Sequence, residues 1–206
     1  MQYKAHNDCY RKSKHIYDWF VFYDMDEFIH LTNINNIKKY LSNDCFNNCN
    51  VIHLNQVLHT DNGQIYYYNK SLFERFPNYT LNFDKKMGLT KMIIKGNLPN
   101  IHIINPHIIQ NNYQCNSIGK IINISDKNNT NNLYNKYFYY DHFHFKSSEE
   151  YYNKLIRGDA VFGKRDFNEG IFFFYFSINK ITDDKLNYFQ NRTGLNLDIY
   201  RNSTLK

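Results

Sequence analysis

Alanine, proline and glycine are all scarce in this chain of 206 residues, which has three Pro and eight Gly. This scarcity excludes a collagen-like chain and a Gly- or Pro-rich linker. Aromatic residues make up 18% of the chain and hydrophobic residues 42%, so the composition is not that of a disordered chain either. The length fits one domain with a core of its own, and we therefore expect residues 1–206 to form a single domain.

Cysteine is also rare, with four residues at Cys9, Cys45, Cys49 and Cys115. Four cysteines are too few for a disulfide framework in a chain of this length, so the sequence predicts reduced, partly buried thiols. Cys45 and Cys49 have the spacing of half a metal site. No second Cys or His pair follows at ligand spacing, which argues against a zinc site.

Long apolar segments are absent from the sequence. The most apolar stretch covers residues 171–178 and is too short to cross a bilayer. Residues 1–15 lack the apolar run of a signal peptide. The sequence therefore predicts no membrane segment in this chain and a cytoplasmic location.

Positive charge is in excess, with a net charge of +6. The 25 Lys and Arg residues are scattered, and the densest cluster covers residues 11–14. Scattered lysines are typical of a solvated surface rather than of a groove for a polyanion. A small anionic ligand such as a nucleotide suits this charge equally well.

The apolar pattern predicts strands that alternate with helices, which is an α/β arrangement. Apolar runs predict buried strands at residues 17–23, 51–58 and 171–178, with shorter strands at 91–95 and 101–104. Capping residues and helical spacing predict helices at residues 33–41, 147–158 and 182–194. The Asn-rich segment 111–135 is predicted to be mainly loop.

Three carboxylates follow the first predicted strand, at Asp24, Asp26 and Glu27. Ligands of α/β sheets bind beyond the carboxyl ends of the strands, and in extended backbone Asp24 and Asp26 point to the same side. Two carboxylates suit Mg²⁺ or Mn²⁺, which leave coordination positions for water and phosphates. The alternative is a solvated acidic turn.

A resemblance to a known family runs through most of the chain. The segments Gln2-x-x-Ala5-His6-Asn7-Asp8-Cys9 and Asp18-Trp19-Phe20-Val21-Phe22-Tyr23-Asp24-Met25-Asp26-Glu27-Phe28 resemble the core signature of glycosyltransferase family 92 and its family-2-like relatives. Further similar segments follow in the same order, at residues 55–63, 73–76, 91–95 and 142–151. Gln56 stands where the family usually has Trp. The resemblance implies a GT-A fold, a Rossmann-like mixed sheet flanked by helices.

The same resemblance implies a metal-dependent glycosyltransferase. Such an enzyme moves a sugar from a nucleotide-sugar donor to a hydroxyl group of a glycan, lipid or protein acceptor. Asp24 and Asp26 match the motif that binds Mn²⁺ or Mg²⁺ and the donor. His142 matches a late histidine that completes the metal site, and its alternative is a core histidine among aromatic residues.

Other residues of the matched segments have implied roles at the donor and in catalysis. Asn7 and Asp8 lie where the family approaches the donor, and Lys146 is placed to meet the diphosphate unless it is an ordinary surface lysine. An inverting transfer needs a general base, for which Asp61 and Glu74 are both candidates. The sequence does not choose between these two carboxylates.

The chain departs from the family at its front. Family members have roughly a hundred further residues before the first matched segment, about half an α/β domain. We therefore expect an N-terminally incomplete fold with an open sheet edge, and a separate N-terminal half as one candidate partner. The alternative function is that of an inactive remnant, or of a basic α/β protein that binds nucleic acid or a partner chain.

Overall fold

The computed structural model describes residues 2–80, 90–105, 107–110, 113–122, 138–158 and 167–201. It is an α/β structure with a mixed sheet, as the sequence predicts. The helices are α1 (Gln2–Ser13), α2 (Ile37–Leu41), α3 (Leu72–Arg75), α4 (Ser148–Arg157), α5 (Glu169–Ile178) and α6 (Asp183–Thr193). The strands are β1 (Trp19–Val21), β2 (Glu27–Leu31), β3 (Val51–His59), β4 (Tyr79–Thr80), β5 (Thr90–Lys95), β6 (His102–Asn105), β7 (Ile108–Gln110), β8 (Gln114–Asn116), β9 (Ile121–Ile122) and β10 (Phe138–His142).

The chain divides into two compact units. The first contains Met1–Val57 and Asn82–His142, and the second contains Leu58–Leu81 and Phe143–Lys206.

The first unit is built on the sheet, whose strand order is β1-β5-β3-β10-β2. Strand β5 is antiparallel to both β1 and β3, whereas β8 runs parallel to β3 and pairs with β9. Successive residues of β5 point to opposite faces, so Met92 and Ile94 join one buried cluster with Tyr10 of α1, and Ile93 joins another with Tyr40 of α2. Both faces of the sheet are therefore covered.

The second unit has a core made largely of aromatic rings. Phe145, Tyr151, Phe172, Tyr175 and Phe189 are all buried in one cluster. Their rings meet edge-to-face or offset, for example Phe145 against Tyr175 with centroids 5.4 Å apart.

Two predicted strands are corrected by the structure. Residues 171–178 lie in helix α5, where Phe172, Tyr175 and Phe176 are buried and Phe173 is exposed. A short apolar run does not distinguish a strand from a buried helix, and the side chain of Asn168 caps this helix by accepting from the backbone N–H of Ile171. The predicted buried strand at residues 17–23 is confirmed only in part, because it is shorter than predicted and lies at an edge. Strand β1 has three residues and lies at one end of the strand order.

Several other predicted elements are confirmed. Strand β3 covers the predicted segment 51–58, and β5 covers 91–95. Helix α4 starts with a capping box between Ser147 and Glu150 and ends at Gly158. Helix α6 is capped by Thr182 and ends at Gly194, whose φ of 71° lies in the left-handed region that glycine adopts without strain.

Other elements differ from the predictions. Helix α1 and strand β2 were not predicted, and α2 starts only after its cap at Asn36. Within the predicted loop 111–135, strand β8 forms beside β3 and strand β9 pairs with β8. Residues 123–137 lie outside the described residues.

The prediction of reduced thiols is wrong for two of the four cysteines. Cys49 and Cys115 form a disulfide, whereas Cys9 and Cys45 are free and exposed. The parallel register of β3 and β8 sets Ile52 opposite Cys115, which brings that cysteine close to the start of β3. The two cysteines are 66 residues apart in sequence, so their spacing alone did not reveal the pairing.

Within the described ranges, no helix has the length and apolar character needed to cross a membrane.

Candidate functional site

The predicted carboxylates lie in the first unit, in the turn between β1 and β2. Glu27 is the first residue of β2, and its backbone N–H donates to the carbonyl oxygen of Asp24 at 3.1 Å. Its side chain also accepts from the backbone N–H of Asp24, with 3.1 Å between Oε2 and N. Glu27 therefore closes the turn and fixes the backbone that carries Asp24 and Asp26.

A lysine that was not predicted as a site residue lies against these carboxylates. Lys91 Nζ is 2.7 Å from Glu27 Oε2 and 3.1 Å from Asp24 Oδ2. The side chains of Lys91 and Glu27 are each 1% exposed, but that of Asp24 is 51% exposed. Burial raises the pKa of the Glu27 carboxyl, and the Lys91 ammonium opposes that shift. Lys91 could have been noticed in the sequence as a charged residue within the apolar run that forms β5.

The structure brings Asp26 and His142 together from distant parts of the sequence. The register of β10 on β2 sets His142 opposite Glu27. His142 Nε2 is 3.9 Å from Asp26 Oδ1, and its Nδ1 is 3.8 Å from Glu27 Oε1. The side chains of His142 and Asp26 are 13% and 17% exposed, so both are largely shielded from solvent.

Two further histidines, His6 and His107, have pKa values influenced by this cluster. Burial lowers the pKa of His6, and the Lys91 ammonium lowers it further while Asp24 raises it. His6 stacks on Phe22 with centroids 4.3 Å apart. His107 donates from Nδ1 to the carbonyl oxygen of Thr90 at 2.7 Å, and burial lowers its pKa too. Neither histidine was predicted as a site residue.

The predicted divalent cation needs ligand side chains of suitable type in this turn. Among the residues that the structure describes, no group of three or more His, Cys, Asp or Glu side chains is arranged to hold a metal ion. Asp26 and His142 nevertheless form a pair of suitable ligand types. Mg²⁺ and Mn²⁺ are both held by carboxylates, with water and substrate phosphates as further ligands, so Asp26 suits either ion, whereas the imidazole of His142 suits Mn²⁺ and not the harder Mg²⁺.

Two residues of α1 were predicted to contact the nucleotide-sugar donor, and in the structure both have partners within the protein. The side chain of Asn7 donates to the carbonyl oxygen of Ile103 at 2.7 Å and accepts from its backbone N–H at 2.9 Å. Asp8 forms ion pairs with Arg11 at 2.6 Å and Lys12 at 2.7 Å. Hydrogen bonds from Lys12 and Arg11 lower the pKa of Asp8. Asn7 thus joins α1 to β6, and Asp8 is paired with two basic residues on its own chain segment.

The first candidate base, Asp61, is sealed inside the second unit. Its Oδ2 lies 2.5 Å from Lys185 Nζ and accepts from the hydroxyl of Tyr175, also at 2.5 Å. Its Oδ1 accepts from the backbone N–H of Gly63 at 2.9 Å, and its own N–H donates to Asn179. With 1% exposure and these partners, Asp61 is placed like a structural carboxylate, because a base must reach the proton it removes.

The second candidate base, Glu74, and the predicted donor residue Lys146 lie near helix starts in the second unit. Glu74 forms the capping box of α3 with Ser71, and its side chain is 57% exposed. Lys146 is half-buried and directly precedes Ser147, the cap of α4. Its φ of 56° lies in the left-handed region, where a residue with a side chain is strained.

The chain was compared with models of known protein families, with curated proteins and with solved structures, and none of these comparisons gives a match.

Proposed function

We propose that this chain is a metal-dependent glycosyltransferase with a GT-A arrangement that uses a nucleotide-sugar donor. The observation that carries the proposal is the approach of His142 to Asp26, 3.9 Å between Nε2 and Oδ1. The family resemblance implies one metal site for both residues, together with Asp24. The half-exposed carboxylate of Asp24 lies in the same turn and is open to a ligand.

The residues of this turn have distinct roles in the proposal. Asp26 and the imidazole of His142 hold Mn²⁺, and Asp24 faces the donor from the solvent side. Such a cation, when bound, neutralises the negative charge that develops on the nucleotide leaving group. The Lys91 ammonium contacts both Glu27 and Asp24 and balances one of their two negative charges, which limits repulsion among three carboxylates in one short turn.

The location of the protein is a separate part of the proposal. Disulfides persist in oxidising compartments and are rare in the cytosol. The bond between Cys49 and Cys115 therefore favours an oxidising compartment over the predicted cytoplasm.

The experiment measures release of the free nucleoside diphosphate from a panel of nucleotide sugars, with the full chain and Mn²⁺. We expect Asp26→Asn and His142→Ala each to lower the rate at least about 100-fold, the scale of losing one preorganised electrostatic group. Asp18→Asn is the matched control, because Asp18 is an exposed aspartate of the same unit and ends the loop before β1. Calorimetric binding of UDP and GDP with and without Mn²⁺ gives a second readout.

Two results would overturn the proposal. One is a folded wild-type chain that shows neither hydrolysis nor Mn²⁺-dependent nucleotide binding across the panel. The other is activity that Asp26→Asn and His142→Ala lower no more than Asp18→Asn does.

A further inference from the structure

Three consecutive tyrosines form an exposed aromatic surface in the second unit. Tyr66, Tyr67 and Tyr68 are 60%, 53% and 43% exposed. Neighbouring exposed apolar side chains of this size usually mark a surface that another group covers. The tyrosines directly precede Asn69-Lys70-Ser71, which has the Asn-x-Ser/Thr pattern of an N-glycosylation site. The exposed rings and a candidate attachment point for a glycan are therefore adjacent in sequence.

Contacts within the second unit hold this aromatic surface in place. The guanidinium of Arg75 lies over the rings of Tyr67 and Tyr68, 4.7 Å and 5.3 Å from their centroids. Arg75 is itself 2% exposed and forms an ion pair with Glu150. The backbone N–H of Tyr67 donates to Oε2 of Glu149 at 2.8 Å. A group that covers these rings therefore meets an ordered surface, which lowers the entropic cost of the contact.

The side-chain amide of Asn69 lies beside the ring of Tyr67. Asn69 is exposed, and its Oδ1 accepts from the Tyr67 hydroxyl at 3.4 Å. Among the described residues, none bonds to its Nδ2, the atom that carries an N-linked glycan. The segment is the loop that leads into α3, whose cap is Ser71. A first sugar on Asn69 thus starts next to an aromatic ring, whose negative face attracts the C–H groups of the sugar.

Two other Asn-x-Ser/Thr segments lie in the described residues, and they are placed differently. They begin at Asn78 and Asn191. The Nδ2 of Asn78 donates to the side chain of Asn62, and its carbonyl oxygen accepts from the backbone N–H of Thr60 at 3.0 Å. Asn191 lies inside helix α6 rather than in a loop. Of these three asparagines, Asn69 is the one that combines an exposed loop, an unengaged Nδ2 and an exposed aromatic surface.

We propose that Asn69 carries an N-linked glycan whose first sugar packs on Tyr67. The disulfide of Cys49 with Cys115 supports this modification independently, because disulfides persist in the oxidising compartments where such glycans are attached. In the transfer, Nδ2 of Asn69 forms a bond to C1 of an oligosaccharide carried on a polyprenyl diphosphate. The C1–O bond breaks, the diphosphate keeps its electron pair, and one amide proton passes to solvent. The inference does not rest on the proposed sugar transfer by this chain, because Asn69 is the acceptor of another enzyme.

The first experiment maps the modification. The full chain is produced behind a cleavable signal peptide in cultured eukaryotic cells, and its peptides are analysed by mass spectrometry before and after peptide N-glycosidase treatment. We expect a glycan on the Asn69 peptide in most molecules, and Asn69→Gln should lose it. Ser71→Thr is the matched control and should keep the glycan, because it preserves both the Asn-x-Ser/Thr pattern and a capping side chain for α3.

The second experiment measures the contact with Tyr67 by thermal unfolding. We expect the glycosylated chain to melt about 2 to 4 °C above Asn69→Gln, the scale of one modest contact in a chain of this size. Tyr67→Ala should abolish this difference, because the first sugar loses its ring. Phe173→Ala removes another exposed aromatic side chain of the same unit and should leave the difference unchanged. Circular dichroism checks that every variant is folded.

Several outcomes would overturn this inference. One is a folded, disulfide-bonded chain whose Asn69 peptide is unmodified. Another is a difference in melting temperature that Tyr67→Ala lowers no more than Phe173→Ala does. Binding of free oligosaccharides to the tyrosines of a chain with unmodified Asn69 would identify a binding surface for a separate glycan instead. Because neither experiment measures nucleotide-sugar hydrolysis, failure of the proposed function leaves their results unaffected.

Discussion

A buried lysine faces a carboxylate in each of the two units, and the two clusters differ in their access to solvent. In the second unit, the side chains of Lys185 and Asp61 are 0% and 2% exposed, with 2.5 Å between Nζ and Oδ2. In the first unit, Lys91 and Glu27 are equally buried, but the second carboxylate on Lys91, that of Asp24, is 51% exposed.

This difference separates a structural ion pair from a candidate binding site. Asp61 is also hydrogen-bonded to Tyr175, and Lys185 also donates to the carbonyl oxygen of Lys180 at 2.8 Å. Breaking a buried ion pair leaves an uncompensated charge, so such a cluster is costly to change. Asp24, by contrast, keeps an open side toward solvent while Lys91 holds it in place. A buried lysine beside a carboxylate therefore forms a buried structural ion pair in the second unit, whereas in the first unit it holds a carboxylate that solvent can reach.

The largest effect is expected from Lys185→Met. The variant leaves the carboxylate of Asp61 buried without its cation, and we expect a loss of about 3 to 5 kcal/mol in the free energy of unfolding. Urea denaturation followed by circular dichroism measures this loss. Lys180→Met, at an exposed lysine five residues earlier, is the control. A loss as small as that of the control would show that the ion pair of Lys185 with Asp61 does not stabilise the fold.

The second effect is expected from removing the disulfide of the first unit. Cys49→Ala/Cys115→Ala removes the link between the start of β3 and strand β8. We expect the unfolding free energy to fall by about 2 to 4 kcal/mol, the usual range for losing a disulfide. Cys9→Ala/Cys45→Ala removes the two free cysteines and should have little effect. If both double variants are equally stable under oxidising conditions, the disulfide does not support this sheet.

The third effect is expected from Lys91→Met, which removes the cation beside Glu27 and Asp24. We expect a loss of about 1 to 3 kcal/mol at pH 8, smaller than for Lys185→Met, because Glu27 can take up a proton. Burial already raises the pKa of Glu27 above its ordinary 4.5, and removing Lys91 raises it further. A carboxyl with a raised pKa in the folded state favours folding below its unfolded pKa and loses that contribution as the pH rises through the folded value.

The loss caused by Lys91→Met should therefore shrink between pH 8 and pH 5. Urea denaturation of the wild type and the variant at both pH values measures the difference. A loss that is equal at both pH values, or larger at pH 5, would contradict the assignment of Glu27 as the group that titrates.

The smallest effect on stability is expected from Asp24→Asn. Its carboxylate is half-exposed, so its ion pair with Lys91 is screened, and we expect a change below about 1 kcal/mol in the free energy of unfolding. If Asp24 faces the donor as proposed, the same variant nevertheless lowers nucleotide-sugar hydrolysis. A large loss of stability without any change in activity would place Asp24 with the structural carboxylates instead.

Local signals in the sequence determined the elements that depend on neighbouring residues. The N-terminal caps and terminal glycines of α4 and α6 were readable because a cap bonds to backbone groups within one turn. Strands β3 and β5 were readable from apolar runs of the right length. The turn that contains Asp24 and Asp26 was identified in the same way, by its place after an apolar strand.

Tertiary structure alone decided the features that depend on distant residues. The core of the second unit contains aromatic rings from α4, α5 and α6, among them Tyr151, Tyr175 and Phe189, and packing among these rings buries α5 as a helix. Pairing of β3 with β8 brought Cys49 to Cys115, and the fold of the first unit brought the side chain of Lys91 to that of Glu27. These pairings depend on burial and hydrogen bonding between segments far apart in the chain, and no local pattern of residues encodes them.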